Sequence, residues 1–114
     1  YTTDMFNHIM EAIKKTNRWQ DIPAIITFMK QHRIPRKTRT WNSILNIYGR
    51  NDRMIEMNQA FEEMRLEVKP DEYTMCTLIE RCYHFKNYQK AVQYFNFVVA
   101  NRINLPQDTL VHVM

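Results

Sequence analysis

Glycine is nearly absent: Gly49 is the only one in 114 residues. A glycine-rich loop that cradles phosphate with backbone amides is therefore excluded. With only four prolines as well, the chain is expected to run as long helices with few tight hairpins. No apolar run approaches 18 residues, so no membrane span is expected. Two cysteines occur, Cys76 and Cys82. Six residues apart on one helix, they would lie roughly 9 Å apart along the axis and on different faces, which rules out a bond between them and fits a reducing compartment. No Cys-x-x-Cys or His-Glu-x-x-His spacing exists, and His8, His32, His84 and His112 are scattered. Asp52, Asp71 and Glu72 do not converge by spacing into an acid cluster. No metal, cofactor or catalytic constellation is implied, and the stretch reads as non-enzymatic.

What is present is apolar and unevenly basic. A chain that is 45% hydrophobic and 25% charged suits one small globular domain or a fragment of a larger one. Residues 1–53 carry ten Lys/Arg against four Asp/Glu, and residues 54–114 carry six against eight. The segment "KQHRIPRKTR" (30–39) holds Lys30, Arg33, Arg36, Lys37 and Arg39. A polyanionic partner and a solvated basic loop both account for it. The chain starts at Tyr1 and stops at Met114 within an apolar segment, which reads as an excerpt; a targeting segment would lie outside it.

Self-similarity organises the rest. Phe6, Trp41, Met75 and Val111 are spaced 35, 34 and 36 residues apart. In the same frame fall Ile9-Met10, Ile44-Leu45 and Leu78-Ile79, then Trp19, Met54 and Tyr88, then Ile22, Met57 and Ala91. Ile26, Phe61 and Phe95 follow, then Met29, Met64 and Val98, and Pro35, Pro70 and Pro106 close the units. Within a unit the spacing is helical: Trp41, Ile44, Leu45 and Tyr48 fall at i, i+3, i+4 and i+7. Met54, Met57, Phe61 and Met64 form a second stripe, and the "GRND" between the two allows only a tight helix–helix turn. Pro70 then ends the second helix. The expected helices are A at about 4–15, 39–49 and 72–84 and B at about 18–31, 53–66 and 87–101, with a kink at Pro23. Trp19, Trp41 and the eight methionines read as core filler. One such hairpin cannot bury its stripe alone. The fold class is therefore all-α, an α-solenoid of stacked antiparallel helix-turn-helix repeats at 3–37, 38–71 and 72–107, with the start of a fourth at 108–114.

The second unit, "TWNSILNIYGRNDRMIEMNQAFEEMRLEVKPD", resembles the pentatricopeptide repeat. The likeness rests on its Thr-aromatic-Asn-small-aliphatic start (Thr40 to Ile44), its Phe-Glu-Glu-Met (Phe61 to Met64) and its closing Lys-Pro-Asp (Lys69 to Asp71). The third unit matches in Thr-Leu-Ile and Ala-Val-x-x-Phe, and the first keeps Phe-Asn and the late Met. A tetratricopeptide pattern would want Gly and Ala where Ile, Met, Tyr and Phe stand.

The resemblance implies that each unit reads one RNA base with a few side chains on the concave, A-helix face. It places base reading at Asn42 with Asp71 (the combination similar to the family's uracil-preferring pair), at Asn7 with Lys37, and at Cys76 with Gln107. His112 opens the fourth unit. Lys37 departs from the family pattern, and a thiol is a poor base reader. It places base stacking at Arg39 and Tyr73, in a column that also holds Asp4 and Thr109. Lys15, Arg50 and His84, spaced 35 and 34, would meet phosphate about two turns after the base-reading column. Plainer readings stand beside these. Asn42 could serve local backbone groups, Asp71 could be an N-cap and Cys76 a packing residue. His84, Lys15 and Arg50 could be solvated surface.

Two functions follow. One is single-stranded RNA binding in organellar RNA metabolism (processing, stability or translation), in a mitochondrion or alternatively a chloroplast, as the family's usual residence implies. The other is a scaffold repeat within an organellar ribonucleoprotein such as a mitochondrial ribosome, touching other subunits.

Overall fold

The structure, a computed structural model, describes residues 3–104; the expected fourth unit lies outside them. Six α-helices and one short 3₁₀ turn make up its regular structure, with no strand among the described residues. They are α1 (Thr3–Thr16), α2 (Ile22–Gln31), α3 (Thr38–Arg50), α4 (Met54–Glu67), α5 (Glu72–His84) and α6 (Tyr88–Ala100). None is long and apolar enough to cross a membrane. The chain divides into two compact units, Tyr1–Lys69 with the hairpins α1/α2 and α3/α4, and Pro70–Met114 with the hairpin α5/α6.

In the first unit α1 packs against α3, and α3 against α4. The aromatic column sits in the core, with Phe6 4% and Trp41 0% exposed, and Ile22, Met29, Met57 and Met64 are fully enclosed. In the second unit Met75, Leu78, Ile79 and Cys82 of α5 face Ala91, Tyr94 and Val98 of α6. Phe95, expected in the core column, is only half-buried, and Met5 is 38% exposed. Trp19 is also only half-buried. It lies in the 3₁₀ turn Trp19–Asp21, and the Arg53 guanidinium sits 4.1 Å over its ring. That cation–π contact ties the turn of one hairpin to the turn of the next. The 3₁₀ turn also corrects the first B helix: α2 begins at Ile22, with Pro23 in its first turn. There the missing N–H is one the helix leaves unpaired anyway, so the proline starts the helix and does not kink it.

The helix ends show how so little glycine suffices. Asn17 (φ 56°), Asp52 (59°) and Lys86 (60°) follow the A helices in the left-handed region, and Arg33 (54°) and Arg102 (53°) follow α2 and α6. After α3, the Arg53 amide donates to the Tyr48 carbonyl (2.9 Å) and the Asp52 amide to that of Gly49 (3.4 Å). After α5, Asn87 donates to Cys82 (2.9 Å) and Lys86 to Tyr83 (2.9 Å). These paired bonds satisfy the last carbonyls and turn the chain sharply. The single glycine takes no positive φ and lies buried within α3. Helix α4 ends differently: Val68 is extended (φ −141°, ψ 164°), two residues before Pro70.

One carboxylate joins three segments. Glu67, the last residue of α4, accepts two bonds from the Arg36 guanidinium, Nε to Oε1 at 2.8 Å and Nη2 to Oε2 at 2.6 Å. It also accepts the indole N–H of Trp41 at 3.1 Å. A fully buried tryptophan needs such a partner, since an orphaned N–H costs about 1–3 kcal/mol. Arg36 itself donates to the Ile34 carbonyl at 3.2 Å, holding the α2–α3 linker in place.

Two outcomes follow. The Arg36 hydrogen bonds hold the Glu67 carboxyl below its ordinary value of 4.5, with Arg36 charge, the Trp41 bond and Lys30 adding and burial opposing. A lowered folded-state pKa contributes stability that is present above the unfolded value and lost as pH falls through the folded one. In Glu67→Gln, denaturant midpoints should therefore fall at neutral pH, by about 1–2 kcal/mol, and the variant should lose part of the wild-type decline below about pH 4.5. Lys86→Gly should raise the thermal midpoint, by about 0.5–1 kcal/mol of added stability, because it relieves a left-handed non-glycine residue while losing some chain entropy. An unchanged or lower midpoint would contradict this account of the turns.

Candidate nucleic-acid interface

The three A helices start in phase with the repeat, so equivalent residues fall at equivalent helical positions. Asp4, Arg39 and Tyr73 are second in α1, α3 and α5; Asn7, Asn42 and Cys76 are fifth; Lys15, Arg50 and His84 are thirteenth. Second and thirteenth positions are separated by about three turns, so they share a face within about 20° and lie roughly 16 Å apart along the axis. The fifth position sits about 60° to one side. Each A helix thus offers a side chain at either end of one line, with a polar side chain or thiol flanking it.

At the line's ends the side chains are free to meet solvent. Asp4, Arg39, Lys15, Arg50 and His84 are exposed, and Tyr73 is 56% exposed. His84 lies edge-on to Tyr83, with ring centroids 6.4 Å apart. Among the described residues, no ion pair involves a side chain of an A helix. The ion pairs Arg18–Asp21, Arg36–Glu67, Arg53–Glu56 and Arg65–Glu62 occupy turns, the α2–α3 linker and α4. Lys15, Arg39 and Arg50 are therefore outside any ion pair among the described residues.

The flanking column is more enclosed. Asn42 is 8% exposed, while Asn7 and Cys76 are half-buried; Cys76 and Cys82 are both free thiols, and burial pushes the Cys82 thiol up to about 12. The Asn7 Oδ1 accepts from the Thr40 hydroxyl at 3.4 Å, across the α1–α3 contact. Its amide N–H₂ can donate to a ligand.

The residues that close each repeat sit at the N-termini of the next A helix. Asp71 is the N-cap of α5 in a reciprocal capping box: its Oδ1 accepts from the Thr74 amide at 2.9 Å, and the Thr74 hydroxyl accepts from the Asp71 amide at 3.2 Å. Lys37 occupies the same place before α3, with an extended backbone and no side-chain cap bond. A lysine cannot accept, and the hydroxyl of the threonine three residues on, Thr40, donates to Asn7. Sequence reading passed over Thr40 because a threonine in a first helical turn carries no distinct signal. It took Arg36 only as part of a basic segment and gave Glu67 no role, because a charged residue in a linker or at a helix end reads as solvated. Gln107, Thr109 and His112 lie outside the described residues, and among those described no cluster of three His, Cys, Asp or Glu could hold a metal.

Comparison with known proteins agrees with this arrangement. The profile described as "Pentatricopeptide repeat domain" matches residues 2–51, and that of the "PPR repeat family" matches residues 36–84. No curated protein matches at significant similarity. The fold is similar to that of the pentatricopeptide repeat protein PPR10, solved in complex with an 18-nt psaJ RNA element: TM-score 0.77, 21% identity, 92% of this chain and 16% of that one covered. It is also similar to the PPR domain of Arabidopsis thaliana protein-only RNase P 1, solved in complex with tRNA: TM-score 0.83, 15% identity, 98% of this chain and 58% of that one covered. The chain thus spans a minor part of the first and somewhat over half of the second. The six helices of the described residues adopt the all-α architecture of these repeat solenoids, and the chain belongs to the pentatricopeptide repeat family.

Proposed function

We propose that the chain binds single-stranded RNA along its A helices, without catalysis, as a segment of a protein of mitochondrial or chloroplast RNA metabolism. The observation that carries this reading is the recurrence of exposed Lys15, Arg39 and Arg50, outside any ion pair among the described residues, at fixed positions of two A helices. Lys15, Arg50 and His84 would meet phosphate, and a carbonyl-rich base edge would meet the N–H₂ of Asn7. Arg39 and Tyr73 offer a guanidinium plane and a ring face on which a base can stack. Asn42, Asp71, Lys37 and Cys76 complete the proposed base-reading set, with the repeats bounded at 3–37, 38–71 and 72–107. RNA in the two structurally similar complexes supports the same reading.

A second reading, a scaffold within an organellar ribonucleoprotein, is favoured by a different observation: Asn42 is 8% exposed, and Lys37 and Cys76 are not amide or carboxylate readers. Titration of the chain with a uridine-run RNA and a scrambled control, at two salt concentrations, separates the two. RNA binding predicts a steep salt dependence whose log–log slope falls by about 0.7 for each of Lys15→Ala and Arg50→Ala. Base reading adds a uridine preference that Asn42→Ala cuts by about fivefold while leaving the slope intact. Absence of binding at low salt would sink the RNA reading and leave the scaffold.

A further inference from the structure

A groove of about 260 Å³ lies between α2 and α4, away from the residues of the RNA reading. Its walls are partly apolar, from Pro23, Ile26 and Ala60. Along α4 it is lined by Glu56, Gln59 and Glu63, which fall at i, i+3 and i+7 and so share one helix face over roughly 10 Å. Tyr48 of α3 also lines it. Tyr48 is only 5% exposed, yet its hydroxyl has no hydrogen-bond partner among the described residues. The hydroxyl oxygen itself is not buried, so it opens on the groove and can bond a partner there.

The charges around that hydroxyl are negative. Burial, then Glu56, then Glu63 push the Tyr48 phenol up to about 12, so it stays a neutral donor and acceptor. Glu56 is engaged by Arg53, whereas Glu63 makes no ion pair among the described residues. Lys30, on the α2 side, is the groove's one cation, and its charge acts on Glu67. Phosphate would meet two carboxylates here, which disfavours RNA. A metal would find too few ligands. A flat cation with several N–H donors and weak hydration fits apolar walls, a carboxylate, an amide oxygen and a hydroxyl oxygen.

We propose that this groove receives an arginine side chain of a protein partner, with its guanidinium donating to Glu63 and to the Tyr48 hydroxyl and its stem against Pro23 and Ile26. This surface is separate from the RNA reading and does not rest on it. The test is a nuclear magnetic resonance titration of the whole chain with a Gly-Arg-Gly amide peptide, against the same peptide with neutral, near-isosteric citrulline, at constant ionic strength. Saturable shifts are expected at the amides of Gln59, Ala60 and Glu63 with arginine and not with citrulline. Glu63→Gln and Tyr48→Phe should each weaken that binding by about fivefold. The first changes an exposed side chain and the second keeps the ring, so neither should disturb the fold. Shifts that fail to saturate, that citrulline reproduces, or that either variant leaves unchanged would overturn the proposal. Uridine-run RNA affinity should be the same in Glu63→Gln as in the wild type.

Discussion

A two-helix hairpin of this length cannot bury its own apolar stripe, and everything else in the first unit is arranged around that constraint. The stripe of α3 is closed on one side by α4 and on the other by α1, which brings Trp41, Ile44 and Leu45 to 0% exposure. Once those residues point inward, the helical period dictates where the rest go. Arg39 and Arg50 fall on one exposed line, and Asn42 falls at its edge. The candidate interface is thus a by-product of core packing: the phase of the polar columns is the phase of the hydrophobic ones. The same packing explains why the tryptophan must find a partner for its N–H and why Glu67 and Arg36 are drawn into the seam.

The residue before an A helix sets the chemistry of that helix's start. With Asp71 in that place, Thr74 is held in a capping box. With Lys37 there, no acceptor is offered, and Thr40 reaches across to Asn7. Family resemblance places both Asp71 and Lys37 at base reading; of the two, Asp71 also caps its helix start, and Lys37 makes no side-chain cap bond. A carboxylate whose Oδ1 holds a helix start is also fixed in position, which is a property a reading group needs.

Much of this was legible because a period near 35 residues repeats the same physical choice three times. Helix existence, the core columns and the helix–helix turns follow from apolar spacing, and the helices α3 to α6 fall within a few residues of their expected bounds. What spacing could not show is chemistry between elements. The Trp19–Arg53 contact joins two turns 34 residues apart in sequence, and nothing in either turn marks its partner. The first B helix starts later than the spacing predicts because Trp19, Gln20 and Asp21 form a 3₁₀ turn whose helical character the spacing shares. The resemblance puts Asn42 at base reading, yet a position at the border of the stripe is covered when its neighbours are large, and it is 8% exposed.

The groove lined by Tyr48 was invisible for a further reason. Tyr48 belongs to the apolar stripe of α3, and its ring is packed as the period requires. Only its hydroxyl extends beyond the core, into a space bounded by α2 and α4. Sequence patterns classify a tyrosine as core or surface, whereas here one side chain is both. The A helices carry basic side chains outside ion pairs, and the α2–α4 groove carries a carboxylate outside any ion pair among the described residues. Two surfaces of opposite electrostatic sense on one small unit let a polyanion and a cationic side chain be held without competing for the same groups. The solenoid geometry makes this possible, because each hairpin exposes one polar edge of each of its two helices and shares only its core.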